Sequence, residues 1–486
     1  MQNNDLVIQS ERKKTREQII ALFFIQASST IAYAVFYSGL SIFLTQNKHY
    51  SHETSAIITG LFLSLNYVLP LIGGILTNKL ITYKNLYYLG TITSIVGCLL
   101  LTNGNFLHLS LALFLMGSLS NVCLNMFVTQ LFSSEQKKQR RIAFTWNYIG
   151  MNLGFMIGYF CTGFSTISNS YNYLFILISC MVFVSIGIVF FFIDEPDQVN
   201  KDKFTFNKLI ICTMLVSFLV LFIKILFDYA EYTRSLLTIS SVSMLAIIII
   251  YSLKKSNLEE KKKIIRFMCF SIIAIVFWSV YLLTPIAIMQ LIHSSVQRNI
   301  LGITLAPQWF ANINSIVIMM LAPLITILIK KSRDNHGYLA NTSNYFSAGF
   351  LFACIAFTVL FIGLSCLKIN GEISPLIICG YLISLTIGEI LIFPASNALI
   401  GELIKEPLRG IMTGVWGMNI AIGGLFSSMI ASRFILPYVN NNRITVQNSI
   451  QLQNVFLMIS FTLFIFVIIS PLITNQWPKL YNRYNE

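Results

Sequence analysis

One carboxylate stands apart in this chain. Of the 19 acidic residues, Glu389 alone lies well inside a long apolar run; the rest fall in termini, in polar connections or at run ends. An ionised carboxylate can make a charge-assisted hydrogen bond to an ammonium group, or exchange its proton for one. Placing a carboxylate at the centre of a hydrocarbon layer costs roughly 2.5–3.5 kcal/mol on insertion scales, which makes it a functional candidate by default. Other chemistry-bearing residues point nowhere so definite. His49, His52, His108, His293 and His336 fall near run ends or between runs, where a solvated imidazole is expected rather than a proton relay. The nine cysteines lie in apolar runs without metal-ligand spacing and read as small buried hydrophobes. No nucleophile, metal cluster or phosphate-cradling loop stands in a suitable helical context, so no enzyme, metal or cofactor is expected.

The elements that carry Glu389 must cross a membrane. Of 486 residues, 56% are hydrophobic and only 11% charged, against roughly 25% charged in a soluble domain. The apolar residues run together in blocks of about 20, the length a helix needs to span a hydrocarbon core of about 30 Å. Fourteen such runs can be read: six between Gln18 and Ile193, two between Leu209 and Leu253, and six between Ile264 and Ile473. The first, Gln18–Thr45, is too long for a cleavable signal and no small-residue cleavage site follows it.

Charge sets the orientation. With the N-terminus in the cytoplasm, the inside loops take twenty-six of the 33 Lys and Arg residues and the outside loops six, with Lys224 left inside a span. Cytoplasmic loops should hold that excess, so an even span count with both termini inside is expected. The net charge of +14 is then a topology signal, and a nucleic-acid partner is not expected. The expected organisation is a cytoplasmic N-terminus at 1–17, a six-helix bundle over 18–193, and a linker with two extra spans over 194–263. A second six-helix bundle over 264–473 and a cytoplasmic tail at 474–486 complete it. The Lys254–Lys263 segment reads as a cytoplasmic linker able to touch anionic lipid. Six, two and six spans is the arithmetic of a secondary transporter whose substrate site lies near the midplane between halves.

Tyr67, Pro70 and Gly73-Gly74, then Phe144, Tyr148 and Asn152, then Pro307 through Asn314, then Gly388-Glu389 mark four stretches that together resemble the proton-dependent oligopeptide transporter family of the major facilitator superfamily. Tyr67-Val-Leu-Pro70-Leu-Ile-Gly73-Gly74 ending at Asn78-Lys79 resembles the family's second-helix signature. Phe144 through Tyr148, Gly150, Asn152 and Gly154 is similar to its fifth-helix motif. Phe277-Trp278, Ile300-Leu-Gly302 and Pro307 through Asn314 to Ala322-Pro323 follow in the family's order. So do Gly388-Glu389, Pro394 and Pro407-Leu-Arg409-Gly410 through Trp416. The resemblance covers both halves and implies the major facilitator fold, all-α, with two extra central helices as in the family's bacterial members. It implies alternating access, a multi-pass place in a bacterial inner membrane, a small-molecule or peptide-like substrate, lipid around a monomer, and no cofactor, with proton coupling expected to be atypical or lost.

The chain departs from the family where the family is charged. An ungapped count puts Gln26-Ala27-Ser28-Ser29-Thr30 on the first-helix Glu-x-x-Glu-Arg, Val122 on the fourth-helix lysine, and Leu282 on the seventh-helix acid. By resemblance, Asn152, Asn314 and Glu389 match residues that hold a peptide's amine and first carbonyl, and Glu389 is the candidate for proton coupling. Tyr33, Tyr67, Gln26, Thr30, Trp278 and Trp416 are expected to line the site, with Trp309 as a further wall. A buried carboxylate facing Gln26, Ser29, Thr30 and Val122 would meet no cation, and an unpaired buried charge costs several kcal/mol. The expected solute therefore carries an amine and no free carboxylate: an amidated or capped peptide, a polyamine-like amine or a larger conjugate. Two other readings stay open, an uncoupled facilitator or exporter of a non-peptide metabolite, and a transport-dead ligand sensor.

Overall fold

The computed structural model describes residues 2–132, 136–193, 206–336, 338–367, 372–404, 409–439 and 444–484. The 194–205 start of the expected linker and the Pro407-Leu408 start of the last motif lie outside them. The apolar runs fold into helices in the order read: α1 Gln2–Gln46, α2 His52–Lys79, α3 Tyr83–Leu101, α4 Leu107–Leu115, α5 Asn121–Leu131, α6 Lys137–Ile167 and α7 Tyr171–Phe192. The extra pair is α8 Phe206–Asp228 and α9 Ala230–Lys255. Then come α10 Leu258–Tyr281, α11 Met289–Ser295, α12 Pro307–His336, α13 Tyr338–Ser365, α14 Pro375–Leu403, α15 Arg409–Ile430 and α16 Val446–Tyr484. A two-residue hairpin, Asn299–Ile300 against Ile303–Thr304, precedes α12 and turns through Leu301 and Gly302, both at positive φ.

Among the described residues, twelve helical segments are long and apolar enough to cross a membrane. The exceptions are α6, diluted by Asn147, Asn152 and a glycine series, and α12, of which only part has described side chains. Helices outrun the apolar runs at both ends: α1 starts at Gln2 rather than Gln18, and α16 continues to Tyr484. Polar residues satisfy backbone hydrogen bonds in a helix as well as apolar ones do, so hydropathy marks the membrane and not the helix. The expected linker between Leu253 and Ile264 shrinks to a break at Ser256–Asn257. There Asn257 accepts from the Glu260 amide at 3.0 Å and Glu260 reaches back to the Asn257 amide at 3.3 Å, a reciprocal cap that starts α10 early.

Two rods are interrupted. A 3₁₀ turn, Met116–Ser120, joins α4 to α5, and a π turn, Thr284–Ile288, joins α10 to α11. Pro285 lies in the π turn and has no N–H to continue the α ladder.

The chain divides into two compact units, residues 1–39 with 65–229 and residues 40–64 with 230–486. Within the first, α6 lies close along α1: a Cβ on Gly150, Gly154 or Gly158 would come within 2.6 Å of Phe23 O, Ala27 O or Ala34 Cβ. Small residues permit such close backbone approach where packing, not water, drives helix association. In the second unit, His52 hydrogen-bonds Gln290, whose amide also reaches Ser55 at 3.4 Å, so His52 is not the merely solvated imidazole expected. His108 pairs with Asp228 at 2.8 Å in the first unit, and Lys224 meets the same carboxylate at 2.5 Å.

Large apolar side chains such as Phe183, Phe191, Met214, Ile239 and Met458 stand exposed on helix surfaces. Such patches suit hydrocarbon rather than water. Cys180 and Cys366 share that exposure, which corrects the reading of all nine cysteines as buried.

Candidate functional site

In the second unit three rods bring the polar groups together. Gly388 allows α14 to approach α13, because a Cβ there would sit 2.8 Å from the Gly349 carbonyl. The next residue is Glu389. Tyr281, at the end of α10, donates to Glu389 Oε2 at 2.8 Å, and Asn314 Nδ2 on α12 donates to the same oxygen at 2.9 Å. Asn314 Nδ2 also reaches Thr386 Oγ1, one helical turn before Glu389, at 3.1 Å. Two of the sequence-selected residues, Asn314 and Glu389, therefore meet directly.

What this cluster leaves open matters as much as what it joins. Both protein donors converge on Oε2, and Glu389 Oε1 has no partner among the described residues. With its Nδ2 turned to the carboxylate, Asn314 presents Oδ1, also without a described partner. A carboxylate oxygen and an amide oxygen side by side are acceptors only, which suits an ammonium group with its three donors.

Aromatic side chains close the cluster. Trp278 is buried, with its ring 5.2 Å from that of Tyr281 and edge-on to Phe393 at 6.2 Å. Trp416 is likewise buried, 6.4 Å from Phe267. Both tryptophans pack as core residues, yet their Nε1 atoms are buried without a partner among the described residues, as are Asn312 Oδ1 and Ser315 Oγ on α12. Asn419 adds both atoms of a fully buried amide to that group. It lies on α15 between Trp416 and Gly423, on one helix face by its three- and four-residue spacing. A Cβ on Gly423 would sit 2.6 Å from Trp278 Cβ, which places this face against Trp278. Buried polar atoms left unpaired cost about 1–3 kcal/mol each, so such a concentration calls for a ligand or water.

The first unit holds the other selected residues, and none of them is charged. Gln26 Nε2 donates to Thr30 Oγ1 at 3.2 Å, so these two satisfy each other along α1. The Tyr33 hydroxyl is buried without a partner among the described residues, and the Tyr33 ring packs against Tyr37 and Phe155. Asn152 is buried and donates to the Tyr148 carbonyl one turn earlier on its own helix at 2.9 Å. In the second unit Leu282, at the position of the family's seventh-helix acid, is fully buried.

Sequence reasoning missed Tyr281, Thr386 and Asn419. Tyr281 and Thr386 carry a signal only once Glu389 is placed: Thr386 is three residues before it, and Tyr281 is three after Trp278. Asn419 had the clearer signal, an amide within an apolar run.

Residues 22–428 match the Major Facilitator Superfamily. The chain belongs to it. This transporter is 23% identical over 471 residues to the dipeptide and tripeptide permease A of Pectobacterium carotovorum subsp. carotovorum, covering 94% of this chain and 90% of that one. Against the dipeptide and tripeptide permease B of Aeromonas hydrophila subsp. hydrophila it is 22% identical, covering 86% and 84%. Its fold matches the crystal structure of a peptide transporter POT in complex with sulfate, with a TM-score of 0.81, 18% identity, and 96% and 95% of the two chains covered. A POT family transporter in complex with 5-aminolevulinic acid matches with a TM-score of 0.77 and 18% identity over 94% and 96%. The resemblance to the oligopeptide branch read from the motifs is borne out. So is the all-α major facilitator fold. The protein is a multi-pass membrane transporter of the inner-membrane kind and not an enzyme.

Proposed function

We propose that this transporter moves small peptides or peptide-like solutes by alternating access, recognising them by a primary amine and not by a free carboxylate. The observation that carries this reading is the Glu389 cluster, in which Tyr281 and Asn314 both hold Oε2 while Oε1 is left to a ligand. The relatives are peptide permeases, and one structural relative holds 5-aminolevulinic acid; such solutes carry both an amine and a carboxylate, so they support the amine half of the reading alone. Glu389 would take the solute's ammonium on Oε1, Asn314 Oδ1 would accept a second N–H, and Trp278 and Trp416 would wall the site. Gln26, Thr30, Tyr33, Tyr67 and Asn152, all uncharged, are proposed as further solute-binding residues. Glu389 is also the carboxyl placed to exchange a proton for the ammonium, so proton coupling in this protein would run through one competed site. One chain would suffice as the working unit.

The test is uptake into proteoliposomes of labelled alanyl-alaninamide and labelled alanyl-alanine under an inward proton gradient. The reading expects the amide to accumulate and the free dipeptide to do so at least tenfold less. Equal accumulation of the two would remove the carboxylate argument, and loss of both would remove peptide-like solutes.

A further inference from the structure

The first unit contains a cavity of about 50 Å³ among α1, α2, α3 and the interrupted fourth rod, with room for a few water-sized groups. No charged side chain lines it; hydroxyls and amides do, among them Ser29, Asn66, Ser94, Ser118, Ser120 and Asn121. Where the hydroxyl protons go decides what this cavity can bind.

The 3₁₀ turn spends two of them. Ser118 Oγ donates to the Leu115 carbonyl at 2.6 Å and Ser120 Oγ to the Gly117 carbonyl at 2.6 Å. A third proton is fixed by a relay. Ser185 donates to the Val182 carbonyl at 2.6 Å and accepts from Tyr87 at 2.8 Å. Since Tyr87 has one proton and gives it to Ser185, the 3.4 Å contact between Ser29 Oγ and the Tyr87 hydroxyl has Ser29 as the donor. Ser29, Ser118 and Ser120 are thus left with lone pairs and no proton for the cavity.

Three further residues have no partner among the described residues: Asn66, Ser94 and Tyr33, whose buried hydroxyl is unpaired on the same wall. Asn66 and Ser94 are 8% and 6% exposed and have no hydrogen-bond partner among the described residues. Asn66 can turn its carbonyl oxygen into the cavity and Ser94 its hydroxyl. Three wall hydroxyls are therefore fixed as acceptors, and the remaining hydroxyls and amides can turn an oxygen toward a cation. An anion would face lone pairs on several sides. A divalent ion would find none of the carboxylates that hold such ions. A small monovalent cation, or an ammonium head, matches both the oxygen wall and its neutrality.

We propose that this cavity is a binding site for a small monovalent cation, filled either by sodium or by an ammonium group of a transported solute. The site is separate from Glu389 and does not depend on the reading of that residue. Sodium held there would give this transporter a coupling ion in the unit from which the charged residues are missing.

The experiment is thermal unfolding of the detergent-solubilised full chain in choline chloride, sodium chloride or methylammonium chloride at equal ionic strength. It is run on the wild type and on Glu389→Gln, which removes the other ammonium site. A ligand that binds only the folded state raises the midpoint in a saturable way. The expected result is a saturable rise with sodium or with methylammonium over choline, kept in Glu389→Gln. The half-saturating concentration should increase at least tenfold in Ser94→Ala and in Asn66→Leu. A rise with sodium alone identifies an ion site, and a rise with methylammonium alone a solute ammonium site. Binding of radioactive sodium ion at equilibrium, competed by methylammonium chloride, reads the same site without reference to stability. Identical midpoints in all three salts, or a rise unaffected by both cavity variants, would overturn the proposal.

Discussion

Tyr281 and Asn314 both donate to Glu389 Oε2, at 2.8 and 2.9 Å, so a carboxylate inside a membrane span has one oxygen held and the other open. A purely structural carboxylate would be expected to spread its partners over both oxygens. Here the protein orients the group and stops short of satisfying it.

Glu389→Gln keeps the shape of the side chain and removes its charge. It should weaken binding of alanyl-alaninamide about thirtyfold or more, since truncating a buried, hydrogen-bonded charge pair costs about 2–5 kcal/mol. Titration calorimetry on the solubilised protein measures this directly. Unchanged affinity would remove Glu389 from recognition.

Tyr281→Phe deletes one of the two bonds that orient the carboxylate and keeps the aromatic ring beside Trp278. A hydrogen bond to a charged group contributes about 1.5–3 kcal/mol, so the same amide should bind roughly ten- to a hundredfold more weakly in the same calorimetric titration. A loss as complete as that of Glu389→Gln would mean that Tyr281 touches the solute itself.

Arg234 and Ser432 make a different point about buried charge. Arg234 is 7% exposed, donates from Nη1 to Ser432 Oγ at 2.7 Å, and has its Nε buried without a partner among the described residues. Replacing a buried ion by an apolar residue of similar volume is often neutral or stabilising, whereas removing only its partner leaves the charge stranded. Arg234→Met should therefore hold or raise the thermal midpoint, and Ser432→Ala should lower it. The reverse order would show that the guanidinium has a further partner.

Gly154 lies where α6 packs closely against α1. A Cβ there would come within 2.6 Å of the Ala27 carbonyl and 2.7 Å of Thr30 Cβ. Because backbone cannot yield as a side-chain tip can, Gly154→Ala should cost about 1–3 kcal/mol and lower the unfolding midpoint. Gly74, which has open space around it, should tolerate alanine with little change in the same assay.

Much of this was legible in the residues. Apolar blocks of span length gave the helices and their order, and the same insertion cost that makes a carboxylate rare in a span singled out Glu389. The motif order named Asn314, which the structure sets against Glu389. Tyr281 stayed hidden because a phenol in an apolar run looks like any packed aromatic until the acid it faces is known. Asn152 shows the opposite error of emphasis: an amide selected for a ligand also bonds its own helix at Tyr148. The 3₁₀ turn at Met116–Ser120 had no hydropathy signal, because a change of hydrogen-bond register leaves the apolar pattern intact. Yet that turn aims Ser118 and Ser120 as the cavity requires.

The most direct test of the account is equilibrium binding of three matched ligands to the wild-type protein: alanyl-alaninamide, alanyl-alanine and N-acetyl-alanyl-alaninamide. The first has an amine and no carboxylate, the second has both, and the third has neither. Recognition through Glu389 with no cation opposite predicts that the amide binds best, that the free dipeptide binds at least tenfold more weakly, and that the acetylated amide does not bind measurably. Equal binding of the acetylated amide, or tighter binding of the free dipeptide, would contradict it.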